Sequence, residues 1–198
     1  MSFGEFIPTP NTVGLWHFNG NANDDSGNGL NGSNVGTVVY SKANGKFNEG
    51  AGGFLTNSSY IRVEDNNVLD LSTFTISVWV KINIFNGVIY SKFDTLSSKP
   101  NYYLDTAGGS NRLRFIYSNG TQYILTINRS LMQSTYYNVT VTAGSGAIKV
   151  YINSELISTA TYTGTLATNT YPLIFGGRLN RTGADYDSFL DGCMHAAG

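Results

Sequence analysis

A single cysteine, Cys193, stands in the 198 residues, so no internal disulfide can staple the chain and its fold rests on an apolar core. Charge is scarce as well: Lys, Arg, Asp and Glu together make up 13% of the residues, and the formal net charge is -1. No window gathers Lys and Arg densely enough to track phosphates or an anionic bilayer, which excludes nucleic acid and membrane surface as expected partners. Nor is any apolar run long enough to cross a bilayer, so no membrane insertion is expected. The opening Met1-Ser2-Phe3-Gly4-Glu5-Phe6 lacks the basic start and continuous apolar stretch of a secretory signal. Glutamate is rare, confined to Glu5, Glu49, Glu64 and Glu155. Glycoside hydrolysis needs two carboxyl groups flanking one bond, and the adjacent Glu64 and Asp65 would point to opposite faces of a strand. The chain is therefore expected not to be an enzyme.

What is abundant is Tyr, Phe, Thr, Ser, Asn and Gly, a mixture suited to pleated, half-buried surfaces joined by tight turns. Residues 74–82 alternate cleanly, with Phe74, Ile76, Val78, Val80 and Ile82 on one face and Thr75, Ser77, Trp79 and Lys81 on the other. Leu113, Phe115 and Tyr117 alternate up to Ser118-Asn119-Gly120-Thr121, after which Tyr123, Leu125 and Ile127 alternate again, the pattern of a β-hairpin. A second hairpin is expected where Tyr137, Val139 and Val141 precede Ala143-Gly144-Ser145-Gly146 and Ile148, Val150 and Ile152 follow it. Shorter strands are expected at 13–18, 60–63, 87–92, 102–105, 156–160 and 173–176. Many short strands without helical periods imply an all-β, antiparallel two-sheet sandwich. No internal repeat or compositional break divides the chain, so a lead of residues 1–10 with Pro8 and Pro10 precedes one domain over 11–198.

Between residues 19 and 32 the density of Asn, Asp and Gly demands a long surface loop. Calcium takes six to eight oxygens from carboxylates, amides and carbonyls, and Asn19, Asp24, Asp25 and Asn28 offer such a set. The same residues equally suit a series of side-chain-capped turns. His17 and Cys193 would meet if the first and last strands pair, but no third group is evident to orient them, so packing is the expected role of both. Thirteen tyrosines supply aromatic faces with a polar end, the kind of side chain that stacks on sugar rings.

Read in order, Gly14-Leu15-Trp16-His17-Phe18, Asp25-Ser26-Gly27-Asn28-Gly29, Ser59-Tyr60-Ile61-Arg62-Val63, Leu69-Asp70-Leu71-Ser72-Thr73-Phe74-Thr75-Ile76-Ser77-Val78-Trp79, Ile148-Lys149-Val150-Tyr151-Ile152-Asn153, Phe175-Gly176-Gly177-Arg178 and Phe189-Leu190-Asp191-Gly192 resemble the laminin-G-like, concanavalin-A-like family. The resemblance spans nearly the whole chain and implies a jelly-roll. It also places the first and last strands close together, which would let Asp191 join the calcium set across the gap. By resemblance to a pentraxin-like site, ligand binding falls in 93–101 and 179–188, where Asp94, Asn101, Tyr102, Asn180, Asp185, Tyr186 and Asp187 are the candidate residues. The chain departs from the family after Asp191-Gly192, where Cys193-Met194-His195-Ala196-Ala197-Gly198 replaces an acidic, alternating strand. That departure implies an open sheet edge near 191–195, able to recruit a partner strand or a second copy into a homo-oligomer or larger assembly. The resemblance implies a non-enzymatic surface module, lectin-like or adhesive, acting outside the cell on carbohydrate or on a protein surface. Its alternative is a structural virion component, a phage decoration or tail protein that contacts only protein neighbours.

Overall fold

The computed structural model describes residues 4–52, 54, 59–94, 99–179 and 186–198, without the side chains of 94, 99, 186 and 187. Along the chain these residues form β1 (Gly32–Val35), β2 (Val39–Ser41), β3 (Gly50–Gly52), β4 (Tyr60–Val63), β5 (Phe74–Ile84), β6 (Val88–Asp94), β7 (Lys99–Thr106) and β8 (Leu113–Ser118). There follow β9 (Gln122–Thr126), β10 (Tyr136–Gly144), β11 (Ala147–Ile152), β12 (Glu155–Thr161), β13 (Leu173–Phe175), β14 (Arg178–Leu179), β15 (Tyr186–Asp187) and β16 (Asp191–Ala197). Two seven-stranded antiparallel sheets result, one ordered β12-β11-β10-β5-β16-β3-β2 and the other β1-β4-β13-β6-β7-β8-β9, while β14 and β15 form a small ribbon. This is the expected jelly-roll sandwich.

The core lies between the sheets because alternate residues of every long strand are apolar. On β5, Phe74, Val78, Val80 and Ile82 are buried and Ile76 is half-buried against them, facing Tyr90, Tyr102, Leu104, Phe115 and Phe175 of the other sheet. Both expected hairpins form, as β8–β9 and β10–β11. The turn into β12 places Asn153 and Ser154 at φ of 51° and 69°, the left-handed pair that a two-residue hairpin requires.

Three expectations are corrected. The apolar stretch 13–18 makes no strand of its own; its ladder contact is one bridge between Trp16 and Ala197. The last strand is no edge: β16 lies between β5 and β3, paired with β5 from Asp191 to Ala197 and with β3 at Cys193 and Met194. Gly192 to His195 are accordingly buried. Lastly, most of 93–101 is not an open loop, since β6 and β7 continue pairing out to Asp94 and Lys99.

One buried charge ties the sandwich to its loops. Lys92 is fully buried, and its Nζ lies 2.6 Å from Asp65 Oδ1, 3.1 Å from Asp70 Oδ1, 2.6 Å from the Asn169 carbonyl and 3.0 Å from that of Tyr171. Such an ammonium is tolerated inside only because carboxylates and carbonyls surround it.

Candidate functional site

The outward face of the second sheet carries the densest chemistry. Register aligns Ile174, Ser91, Tyr103, Ile116 and Ile124 as one cross-strand row on β13, β6, β7, β8 and β9. Two residues along, Asp105, Arg114 and Thr126 form a second row on the same face. Phe93 packs tilted on Tyr103, their centroids 5.2 Å apart, and with Val88 and Ile116 these residues make a small apolar cluster outside the main core. Arg114 forks onto Asp105, Nε donating to Oδ1 at 2.9 Å and an Nη to Oδ2 at 2.5 Å. Arg178 of β14 and Asp105 both engage the Tyr103 hydroxyl.

Electrostatically this is a strained neighbourhood. Burial pushes the Asp105 carboxyl up, against the pull of Arg114, while the hydrogen bonds to Asp105 hold the Arg114 guanidinium above its ordinary value. Burial and the Asp105 charge also push the Tyr103 phenol up, so it stays a neutral donor. Side-chain exposure decides what a ligand can reach: Asp105 keeps 6% of its surface, Arg114 32%, and Ile124 is 56% exposed. Tyr103 at 2% and Ile116 at 6% are themselves buried, so what this face presents is the exposed Ile124 beside a forked guanidinium able to bond hydroxyl or carboxylate oxygens.

The family-based site residues scatter about this platform. Asn101 and Tyr102 are corrected: both are interior, Asn101 donating to the carbonyls of Leu71 and Ala167 at 3.1 and 2.6 Å and Tyr102 donating to that of Leu69 at 3.2 Å. Asp94 ends β6, and its side chain is outside the description. Asn180 and Asp185 lie outside the described residues, while Tyr186 and Asp187 form β15, pairing Leu179 and Arg178 in backbone register. Tyr103, Asp105 and Arg114, which sequence reasoning passed over, hold the platform. The signal was present in the alternation that puts Arg114 opposite Leu113 and Phe115.

The five expected calcium ligands do not converge. Asp24 Oδ1 accepts from the amides of Leu15 and Ser26 at 3.0 and 2.9 Å, and Oδ2 from that of Leu30 at 2.9 Å. Burial pushes its carboxyl up, but these bonds outweigh it and leave Asp24 below the usual carboxylate range. Asp25 instead pairs with His17 Nδ1 at 2.7 Å, and Asn28 donates to the carbonyls of Thr12 and Val13 at 3.0 and 2.9 Å. Asn19 faces Glu5, with Nδ2 3.4 Å from Oε1. Asp191 accepts from Asn83 at the start of β16, whereas Ala197 at its other end bridges Trp16, roughly 20 Å away at 3.3 Å per residue. Among the described residues no trio of His, Cys, Asp or Glu gathers around a metal position. Cys193 donates to Asn44 Oδ1 at 3.3 Å, and His17 bonds Asp25 and the Phe6 carbonyl, so the two form no pair.

Together the two sheets define a jelly-roll sandwich. Residues 55–196 match the model of a laminin-G family described as the concanavalin A-like lectin/glucanases superfamily, and the chain belongs to that family. No curated protein sequence matches significantly. Among solved structures, domain 4 of the extracellular GH43 arabinanase AbnA from Geobacillus stearothermophilus, in complex with arabinotriose, superposes with a TM-score of 0.67 at 19% identity, covering 93% of this chain and 91% of that one. The CBM40 domain of the Ruminococcus gnavus IT-sialidase, bound to α2,3-sialyllactose, gives 0.55 at 15% identity over 70% of this chain and 87% of its own. The binding domain of botulinum neurotoxin serotype D gives 0.66 at 15% identity over 93% of this chain, which spans 47% of that domain. At these identities the likeness is one of fold. Among the described residues no helix is long and apolar enough to cross a membrane.

Proposed function

We propose that this chain is a non-catalytic carbohydrate-binding module, displayed outside the cell, that holds its glycan on the outward face of the second sheet. The observation that carries the reading is the pair of cross-strand rows, with Tyr103, Ile116 and Ile124 beside Asp105 and Arg114. Ile124 supplies exposed apolar area, the buried Asp105 fixes the guanidinium from below, and the guanidinium, one third exposed, supplies donors for ring oxygens. Family membership and the sugar-bound arabinanase and sialidase domains support it. Hydrolysis would need a second carboxyl about 5–9.5 Å from the first, and the described side chains of the platform offer Asp105 alone, already forked by Arg114. None of the three similar structures is a virion component, so nothing here favours that alternative.

The test is a glycan array followed by titration of the best ligand against Ile124→Ser and Phe93→Ala. Ile124 is exposed, so its variant should melt close to the parent, whereas Phe93 packs on Tyr103 and its variant should lose some stability; binding should fall at least tenfold in both. A silent array, or binding that ignores both substitutions, would overturn the reading.

A further inference from the structure

Among the described residues the two large sheets end in four edge strands, β1 and β9 in one and β12 and β2 in the other. An open edge is a template for further strand pairing, and folded chains blunt their edges with shortness, bulges, charge or cover. Three of these four are blunted. β2 is three residues long, and β1 is four, with Gly32 at its start already donating to the Ala22 carbonyl at 2.8 Å. β12 carries a bulge where it passes Val150 and Tyr151. β9, Gln122-Tyr123-Ile124-Leu125-Thr126, has none of these devices: its register with β8 is regular, it holds no charge and no proline, and it is exposed along most of its length.

The backbone of β9 can be read from its ladder. Ile127 donates to the Leu113 carbonyl at 2.8 Å, which makes Leu113 and Ile127 a hydrogen-bonded pair. Bonded and non-bonded pairs alternate along an antiparallel ladder, so Leu125 and Tyr123 bond to β8 while Gln122, Ile124 and Thr126 turn their N–H and C=O away from it. Among the described residues no other backbone bond takes up those groups. Further along, the Asn128 N–H donates to Ser158 Oγ at 3.3 Å, so the open edge closes there against β12. The free groups therefore sit on the first, third and fifth residues of the strand, symmetric about Ile124.

The side chains share that centre. On the outward side the exposed Ile124 lies between the uncharged Gln122 and Thr126, and on the inward side it is flanked by the part-exposed Tyr123 and the half-buried Leu125. Tyr123 already rests on Tyr117, their rings stacked with centroids 5.4 Å apart.

We propose that this chain self-associates through β9, which pairs antiparallel with β9 of a second copy about a two-fold axis at Ile124. Gln122 then faces Thr126 of the partner subunit and Ile124 faces Ile124 of the partner subunit, each pair exchanging two backbone bonds, while Tyr123 covers Leu125 of the partner subunit. A second copy is the occupant because the pattern of free groups is self-complementary and no like charges meet across the axis. Two seven-stranded sheets become one continuous sheet. Three strand spacings and four residues of rise set the two Arg114 side chains about 20 Å apart on a single face. That the dimer is bivalent rests on the glycan reading of this face, and bivalence would hold it on a polymer longer than one site does. One five-residue strand is a small interface, so association is weak and depends on concentration.

Sedimentation of the 198-residue chain from micromolar to millimolar concentration tests the pairing. The average mass should climb from monomer toward dimer, and the Gln122, Ile124 and Thr126 amides should exchange at least tenfold more slowly at the upper end. Gln122→Pro should abolish association and keep the melting temperature of dilute protein, because proline there removes an N–H that bonds nothing in the monomer. A charge swap reports on the axis without relying on proline. Ile124→Lys and Ile124→Glu should each stay monomeric, since like charges would meet at the two-fold, and an equal mixture of the two should associate at least tenfold more tightly than either alone. A monomer at every concentration, association that Gln122→Pro leaves intact, protection at a different edge, or a mixture no tighter than its components overturns the proposal. None of these readouts uses a glycan, so a dimer that binds no sugar and a monomer that binds one are distinguishable results.

Discussion

Asp24 shows how a side chain that reads as a ligand can be consumed by the backbone. Its two oxygens accept three amides, from Leu15, Ser26 and Leu30, and so stitch the loop to the segment before it. Asp24→Ala should cost about 2 kcal/mol, within the range for hydrogen bonds to a charged acceptor, whereas Asp24→Asn keeps part of the set. Melting curves in calcium and in chelator should coincide for parent and variant. A calcium-dependent rise that Asp24→Ala abolishes would restore an ion to the loop. Tyr102, expected as a binding residue, and its neighbour Tyr103 differ by one position. On a strand that step separates the core, where Tyr102 reaches Leu69, from the outward face, where Tyr103 meets Asp105.

At the scale of elements, β16 is the main reversal. Its sequence, rich in Ala and Gly with one His and one Cys, lacks the alternation that marks a central strand. It is central because small residues suit close neighbours: a Cβ on Gly192 would lie 2.3 Å from the Lys81 carbonyl. Its amides from Gly192 to Met194 should exchange among the slowest in the chain, with protection approaching that of global unfolding. Fast exchange there, measured by hydrogen–deuterium NMR, would contradict this placement. By contrast β5 was legible from Phe74 to Ile82, two residues short of its end at Ile84, because its alternation of β-branched and polar residues specifies one face and one period.

For the molecule as a whole, two histidines near the joined chain ends set opposing responses to pH. Burial pulls His17 down, but the Phe6 carbonyl and Asp25 outweigh it, so its pKa is raised above 6.5. Its contribution to stability is complete below 6.5 and is lost as pH rises through the folded value. His195 is fully buried, and burial dominates the Glu49 carbonyl bond and the nearby Glu5, so its pKa is lowered below 6.5. Its contribution is present above 6.5 and is lost as pH falls through the folded value. His17→Gln should therefore leave a protein that weakens on acidification below 6.5, and His195→Asn one that weakens as pH rises above it. Melting temperatures between pH 5 and 8 check both slopes, and a reversed sign in either variant would refute the assignment.

Both hairpins, the inward face of β5 and an antiparallel sandwich follow from the sequence alone, because period-two alternation and turn chemistry are local properties, and the family resemblance added the jelly-roll class. Which strands lie side by side is not local. Only the tertiary structure decided that β16 runs between β5 and β3, that Asp191 and Asp24 sit at opposite ends of a strand, and that Tyr103, Asp105 and Arg114 share one face. Register fixes each of these relations, and register depends on which partner strand buries the most apolar surface, which no single segment encodes.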